Sequence, residues 1–180
     1  DLVGTMIQEG IPDPQVLFLG IGDFVYDDAP LQIGQFESSA ELLDRWLTKV
    51  YLEGGGGGNN CESYSLAHLV AARHTSVDCW DKRRQKGFLF TIGDEPCNPD
   101  IPGEIIGRWT TGKNRSTVST KDIVAEARER WHVYHLHVEH NAAAATEERK
   151  AGWKDILGQH FMILKDHATL AKKIASIVVD

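Results

Sequence analysis

Four short apolar runs constrain this chain more than any other feature: Val16–Ile21, Phe88–Ile92, Val133–Val138 and Phe161–Leu164. Each is bounded by turn residues and is too short for an ordinary helix, so each reads as a buried strand. Helical stretches lie between the later runs, and strands joined through helices predict right-handed crossovers and a parallel sheet. The expected fold class is therefore α/β with a mostly parallel sheet.

The remaining segments fall into place around those runs. A helical start (Leu2, Met6 and Ile7 at helical spacing) ends near Gly10, and Ile11-Pro12-Asp13-Pro14 stops it from continuing. After Val16–Ile21, a turn with Asp27, Asp28 and Pro30 leads to Leu31–Phe36, where Leu31, Ile33 and Gln35 alternate with small or polar residues. That alternation predicts an antiparallel partner at the sheet edge. Ser38 or Ser39 can cap a helix that would bury Leu42, Leu43, Trp46, Leu47 and Val50. Further helices are expected over Tyr64–His74, Lys121–Arg130 with Thr120 as its cap, Thr146–Leu157 and His167–Val178. Between Cys97 and Thr120 runs a long loop with one short helix around Glu104–Trp109. No internal boundary or long-period repeat divides the chain, so its 180 residues form one domain.

Charge and cysteine content narrow the function classes. A net charge of −7 and the absence of a basic cluster argue against nucleic-acid binding, which needs a basic face. No apolar run approaches the roughly 18–20 residues of a membrane span, and the first ten residues lack the basic start and apolar stretch of a secretory signal. Cys61, Cys79 and Cys97 are an odd number without zinc-site spacing, which fits a reducing, cytoplasmic location.

Chemistry-bearing residues gather at loop positions. Asp94 follows strand Phe88–Ile92, and open α/β sheets bind ligands beyond the carboxyl ends of their strands. A carboxylate there suits a hard cation such as magnesium, with Glu62 and Asn60 able to converge on it; the alternative is a residue that caps its own turn. Gly20-Ile21-Gly22-Asp23 echoes Thr91-Ile92-Gly93-Asp94, although for Asp23 the turn role is favoured. Gly54–Gly58 with Asn59 and Asn60 precedes a helix, as a phosphate loop does, but it lacks the Gly-Lys-Ser/Thr ending and follows a helix. A site-shaping connector is the favoured reading. His135 and His137 share one strand face, as metal ligands could, yet among His132, His135, His137 and His140 packed or partly exposed side chains are expected instead. The tryptophans are too dispersed for a binding stripe and are assigned to packing.

The order of elements, from a helix end through strand, antiparallel edge strand, helix, glycine-rich loop and helix to a strand ending in Asp94, resembles the von Willebrand factor A-like domain over nearly the whole chain, including such domains of phage-related and bacterial proteins. Phe88-Leu89-Phe90-Thr91-Ile92-Gly93-Asp94 is similar to that family's apolar strand ending in the third metal-site aspartate. Gly57-Gly58-Asn59-Asn60-Cys61-Glu62, followed by Ala67 and Ala71, resembles the loop of its second motif; Glu62 stands where the family has threonine, with Asn60 as the other candidate. The resemblance implies a three-layer, doubly wound sheet with one antiparallel edge strand, and a Mg2+ or Mn2+ site held by Asp94, Glu62 and Asn60. The family's first motif, Asp-x-Ser-x-Ser, follows a central first strand, and neither precedes Asp1. The expectation is thus a single domain over residues 1–180 lacking its N-terminal central strand, which leaves neighbouring strands with unpaired backbone groups and this chain alone with weak or lost metal binding.

The function implied is adhesion or assembly, not catalysis: a protein partner offers an acidic residue to the metal, and a ring ATPase or larger assembly is a partner by analogy. The alternatives are a magnesium-dependent hydrolase or phosphoryl-transfer enzyme using Asp23, Asp94, Glu62 and Glu95, and a metal-free structural subunit. The enzyme reading lacks a nucleophile motif.

Overall fold

A computed structural model describes residues 2–54, 58–109 and 116–179. In chain order they form α1 (Leu2–Gln8), β1 (Leu19–Ile21), β2 (Leu31–Ile33), α2 (Ala40–Leu47), α3 (Tyr64–Arg73), α4 (Asp78–Asp81), β3 (Gly87–Gly93), β4 (Asp100–Ile101), α5 (Gly103–Trp109), β5 (Val118–Ser119), α6 (Thr120–Ala127), β6 (Trp131–Val138), α7 (Glu147–Leu157), β7 (Phe161–Leu164) and α8 (Leu170–Val179).

The parallel sheet forms where the continuous apolar runs predict it. β6 lies between β3 and β7 and runs parallel to both, in register from Gly87↔Trp131 to Gly93↔His137 on one side and from His135↔Phe161 to Val138↔Leu164 on the other. Alternation along β6 splits its side chains between two cores. Trp131 and Val133 join Leu66 and Leu69 of α3, Ile123, Val124 and Ala127 of α6, and Trp153 and Leu157 of α7. Leu136 joins Met6 of α1 with Ile174, Ala175 and Ile177 of α8. Each fully buried Leu, Ile or Val in these clusters contributes roughly 1.5–3 kcal/mol, which is why the strand is apolar on both faces.

β1 and β2 pair antiparallel through Leu19↔Ile33, Gly20↔Gln32 and Ile21↔Leu31. The pairing direction matches expectation. Among the described residues, however, this pair is a separate two-stranded sheet sharing no ladder with β3, and β4–β5 form a further small antiparallel pair. The first strand is also shorter than Val16–Ile21, because Val16 makes only an isolated bridge to Glu37.

Helix ends follow local chemistry. Ser39 is the residue that caps α2, its Oγ accepting from the Leu42 N–H at 3.2 Å. α6 is capped by Ser119 and not Thr120: the Ser119 Oγ accepts from the Asp122 N–H at 3.1 Å, while the Thr120 hydroxyl donates to the Asn98 carbonyl. α2 departs from the expected burial, since Leu43 is buried but Leu47 stays 47% exposed. Residues 55–57 of the glycine run and 110–115 of the long loop, like Asp1 and Asp180, lie outside the described residues, so the phosphate-loop alternative is not addressed. No helix among the described residues is long and apolar enough to cross a membrane.

Candidate functional site

Two strands end in the same dipeptide, and the reason is steric. A Cβ at Gly22 would overlap the Asp27 carboxylate, and one at Gly93 would overlap the Tyr64 hydroxyl. Glycine at these positions lets β1 and β3 deliver Asp23 and Asp94 to a crowded corner at the start of α3. Ser63, just before α3, joins the two strand ends. Its N–H donates to the Gly22 carbonyl at 3.0 Å, and its Oγ accepts from the Phe24 N–H at 2.8 Å and the Asn98 amide at 3.1 Å. Glu62 is held beside it, donating its N–H to the Pro96 carbonyl at 2.9 Å and accepting from the Asn98 N–H at 3.1 Å.

The corner is crowded with negative charge. Asp23 is 2% exposed; its Oδ1 accepts from the Val25 N–H at 2.9 Å and its own N–H donates to the Asp27 Oδ2 at 2.6 Å. Burial, and then the neighbouring Asp23, Asp27, Glu95 and Asp94, push the Glu62 carboxyl up to about 7. Burial, and then Asp23, Glu95 and Glu62, raise the Cys61 thiol, which keeps it protonated. Asp23 Oδ2, Glu62 Oε2 and Glu95 Oε2 are buried without a hydrogen-bond partner among the described residues. An unpartnered buried carboxylate oxygen is costly, and each of the three calls for a physical explanation.

The cation that reaches this corner is Arg149, from the first turns of α7. Its Nη1 pairs with Glu95 Oε1 and lies 3.6 Å from Asp94 Oδ2 and 3.3 Å from the Asp94 carbonyl. His140 Nδ1 is 3.8 Å from Asp94 Oδ2. Trp153, one turn further along α7, donates from Nε1 to the Glu95 carbonyl at 3.1 Å.

Of the residues singled out from sequence, Glu62 and Asp94 belong to this one corner, where Asp94 is among the charges that raise the Glu62 carboxyl. Asn60 sits on an exposed bend with φ 53°. Asp23 does form the expected turn, and it also contributes a buried, unpartnered oxygen. Asp27 and Arg149 carry no local sequence signal; only tertiary structure brings them in. His135 and His137 are completely buried, while His132 and His140 are exposed, in line with packing or partly exposed roles.

The donor chemistry of the corner fits a hard divalent cation, which takes carboxylate and carbonyl oxygens. The spacing is not that of a closed coordination shell: among the described residues, no group of three His, Cys, Asp or Glu side chains is arranged to hold a metal ion. Comparison with protein-family models, curated proteins and solved structures finds no match to this chain.

Proposed function

We propose that the chain is a protein-binding or assembly module whose acidic corner is completed by a divalent cation, magnesium or manganese. The observation that carries this reading is the set of three buried, unpartnered carboxylate oxygens on Asp23, Glu62 and Glu95. Asp94 and Glu62 would hold the cation, with Asn60 on the adjoining bend and Asp23 beside them. The bound cation would supply a Lewis-acidic position open to an acidic residue of a partner. The matching fold reading is a three-layer, doubly wound domain of the von Willebrand factor A-like type. It is supported by the parallel β3–β6–β7 order, the antiparallel β1–β2 pair and the two cores on either side of β6. By analogy the partner is a ring ATPase or another component of a larger assembly.

Cys61 is held protonated first by burial and then by Asp23, Glu95 and Glu62, so it offers an enzyme no thiolate nucleophile. Free thiols at Cys61, Cys79 and Cys97 support a cytoplasmic setting.

Calorimetric titration with magnesium and manganese tests the reading. Saturable but weak binding by the chain, lost in Asp94→Ala, is the expected result. A folded chain that takes up neither ion at millimolar concentration would overturn it and leave a metal-free structural subunit. Capture of a glutamate-bearing peptide only when the ion is present would support the partner chemistry; capture indifferent to chelator would refute the metal bridge.

A further inference from the structure

Beneath α7 lies a second group of side chains that the acidic corner does not use. His68 of α3 and His135 of β6 are both completely buried. Among the described residues, neither ring nitrogen of His68 has a partner, and His135 has none at Nε2. His135 Nδ1 lies 2.9 Å from Thr91 Oγ1, and that hydroxyl donates to the Tyr134 carbonyl at 3.3 Å. With the hydroxyl proton so committed, the arrangement assigns the proton of neutral His135 to Nδ1 and leaves Nε2 bare. Trp153 of α7 closes the site from above. Its indole stacks on His135 with centroids 3.8 Å apart and planes 8° apart, and meets His68 edge-on at 6.3 Å.

We propose that His68 and His135 form an acid-released latch for α7: protonating either buried ring displaces Trp153 and frees α7 to lift from the sheet, drawing Arg149 away from the acidic corner.

Among the described residues, no acceptor is hydrogen-bonded to His68 or to Nε2 of His135. From α3 the neighbouring titratable group is Tyr64, whose ring meets His135 edge-on at 5.4 Å; from β6 it is His137, with centroids 5.8 Å from His135. Arg128, at the end of α6, acts on His68 as a like charge. α7 contributes Lys150, whose ammonium is bound to Glu139 at 2.8 Å and Glu147 at 3.1 Å. β3 offers Thr91 and β7 offers Phe161, neither of them charged. No carboxylate is hydrogen-bonded to either ring among the described residues. The indole face can attract a cation, but it cannot accept the new N–H in the plane of the ring. Burial holds both rings below the ordinary histidine range, in keeping with that geometry.

α7 is the element free to respond. It is held by the Trp153–Glu95 hydrogen bond, the Arg149 pairs, the Lys150–Glu139 pair, and Arg128 donating to the Ile156 and Leu157 carbonyls at 3.2 and 3.3 Å. β6, by contrast, is fixed by neighbouring strands on both sides.

Hydrogen exchange of the α7 amides, corrected for intrinsic rate and followed from about pH 7.5 to about pH 5, tests the latch. The expected result is a fall in α7 protection below about pH 6.5 that approaches about a hundredfold per pH unit, a factor of about ten for each ring uncovered, ahead of any fall in β6. His68→Leu and His135→Phe should each reduce that slope to about tenfold per pH unit, and the double variant should abolish it. Protection that does not depend on pH, or that falls in step with β6, would overturn the proposal. Should the variants not fold, the imidazole proton resonances of the unsubstituted chain decide. Both rings staying neutral for as long as α7 is protected supports the latch, and titration of either while α7 remains protected refutes it.

Discussion

Replacing Glu62 by Gln should stabilise the metal-free chain above neutral pH and leave it unchanged in acid. The Glu62 carboxyl is pushed up to about 7 from its ordinary value of 4.5, first by burial and then by Asp23, Asp27, Glu95 and Asp94. Because the folded value is the higher one, the folded state binds the extra proton between those two pH values. Stability is therefore lost as pH rises through that window, and the full penalty is present above about pH 7. At about 1.36 kcal/mol per pH unit the ceiling is about 3.4 kcal/mol. Glu62 is only partly buried, and solvent screening reduces that to about 1–2 kcal/mol. Glutamine removes the charge, and its amide can donate to an unpartnered oxygen of Asp23 or Glu95. The expected gain at pH 8 is about 1–2 kcal/mol, a rise in Tm of roughly 2–8 °C for a domain of this size, shrinking to nothing near pH 4.5. Thermal melts in chelator across that range read it directly. A variant less stable than the parent at pH 8, or a gain that does not change with pH, would refute the reasoning. Added magnesium should reverse the order, since only the parent keeps its carboxylate for the ion.

Gly93→Ala should cost about 1–3 kcal/mol in a urea melt, because its Cβ would enter the space of the buried Tyr64 hydroxyl. Gly22→Ala, facing the more easily moved Asp27 side chain, should cost less. Ser39→Ala removes the Oγ that accepts from the Leu42 N–H and should lower stability by about 0.5–2 kcal/mol in the same assay, with no change in ion binding.

Much of the fold was legible because its signals are local. Phe88–Ile92, Val133–Val138 and Phe161–Leu164 are largely apolar runs between turn residues, broken only by Thr91, His135 and His137, and a strand packed on both faces needs such a composition. The first run read too long, because Val16, Leu17 and Phe18 look the same whether they pair or not. The apolar stripe of α2 identified the face but not what covers it, so Leu47 was expected inside and is exposed. In the site, Asp94 and Glu62 were legible from their places at a strand end and a helix start. Asp27 and Arg149 were not: the guanidinium reaches Asp94 across 55 positions of sequence, and no periodicity records such a pairing. The histidines show the same limit from the other side. Alternation places His135 and His137 on one face, but only the packed structure reveals that His68 joins them and that ring nitrogens go without partners.

The acidic corner and the histidines beneath α7 pull stability in opposite directions with pH. His68 is lowered to about 4, by burial and then by Arg128, and His135 is lowered by burial and by its histidine neighbours. Since the folded values are the lower ones, the unfolded chain takes up two protons that the folded one refuses, and stability falls as pH drops below about 6.5. Two protons correspond to a slope of about 2.7 kcal/mol per pH unit. Glu62, taking up a proton in the folded state, offsets about half of that slope between about pH 4.5 and about pH 6.5. For these three groups together, stability is greatest near neutrality, with the histidines limiting it below and Glu62 limiting it above. The two sides meet at α7, which carries both the indole covering the histidines and the guanidinium bound to Asp94 and Glu95. Acid that lifts α7 thus removes a cation from the corner while adding a proton to Glu62, and the charge of the corner changes less than either event alone would change it. Above about pH 7 α7 stays seated, Glu62 has lost its proton, and the corner has its greatest capacity for an incoming cation.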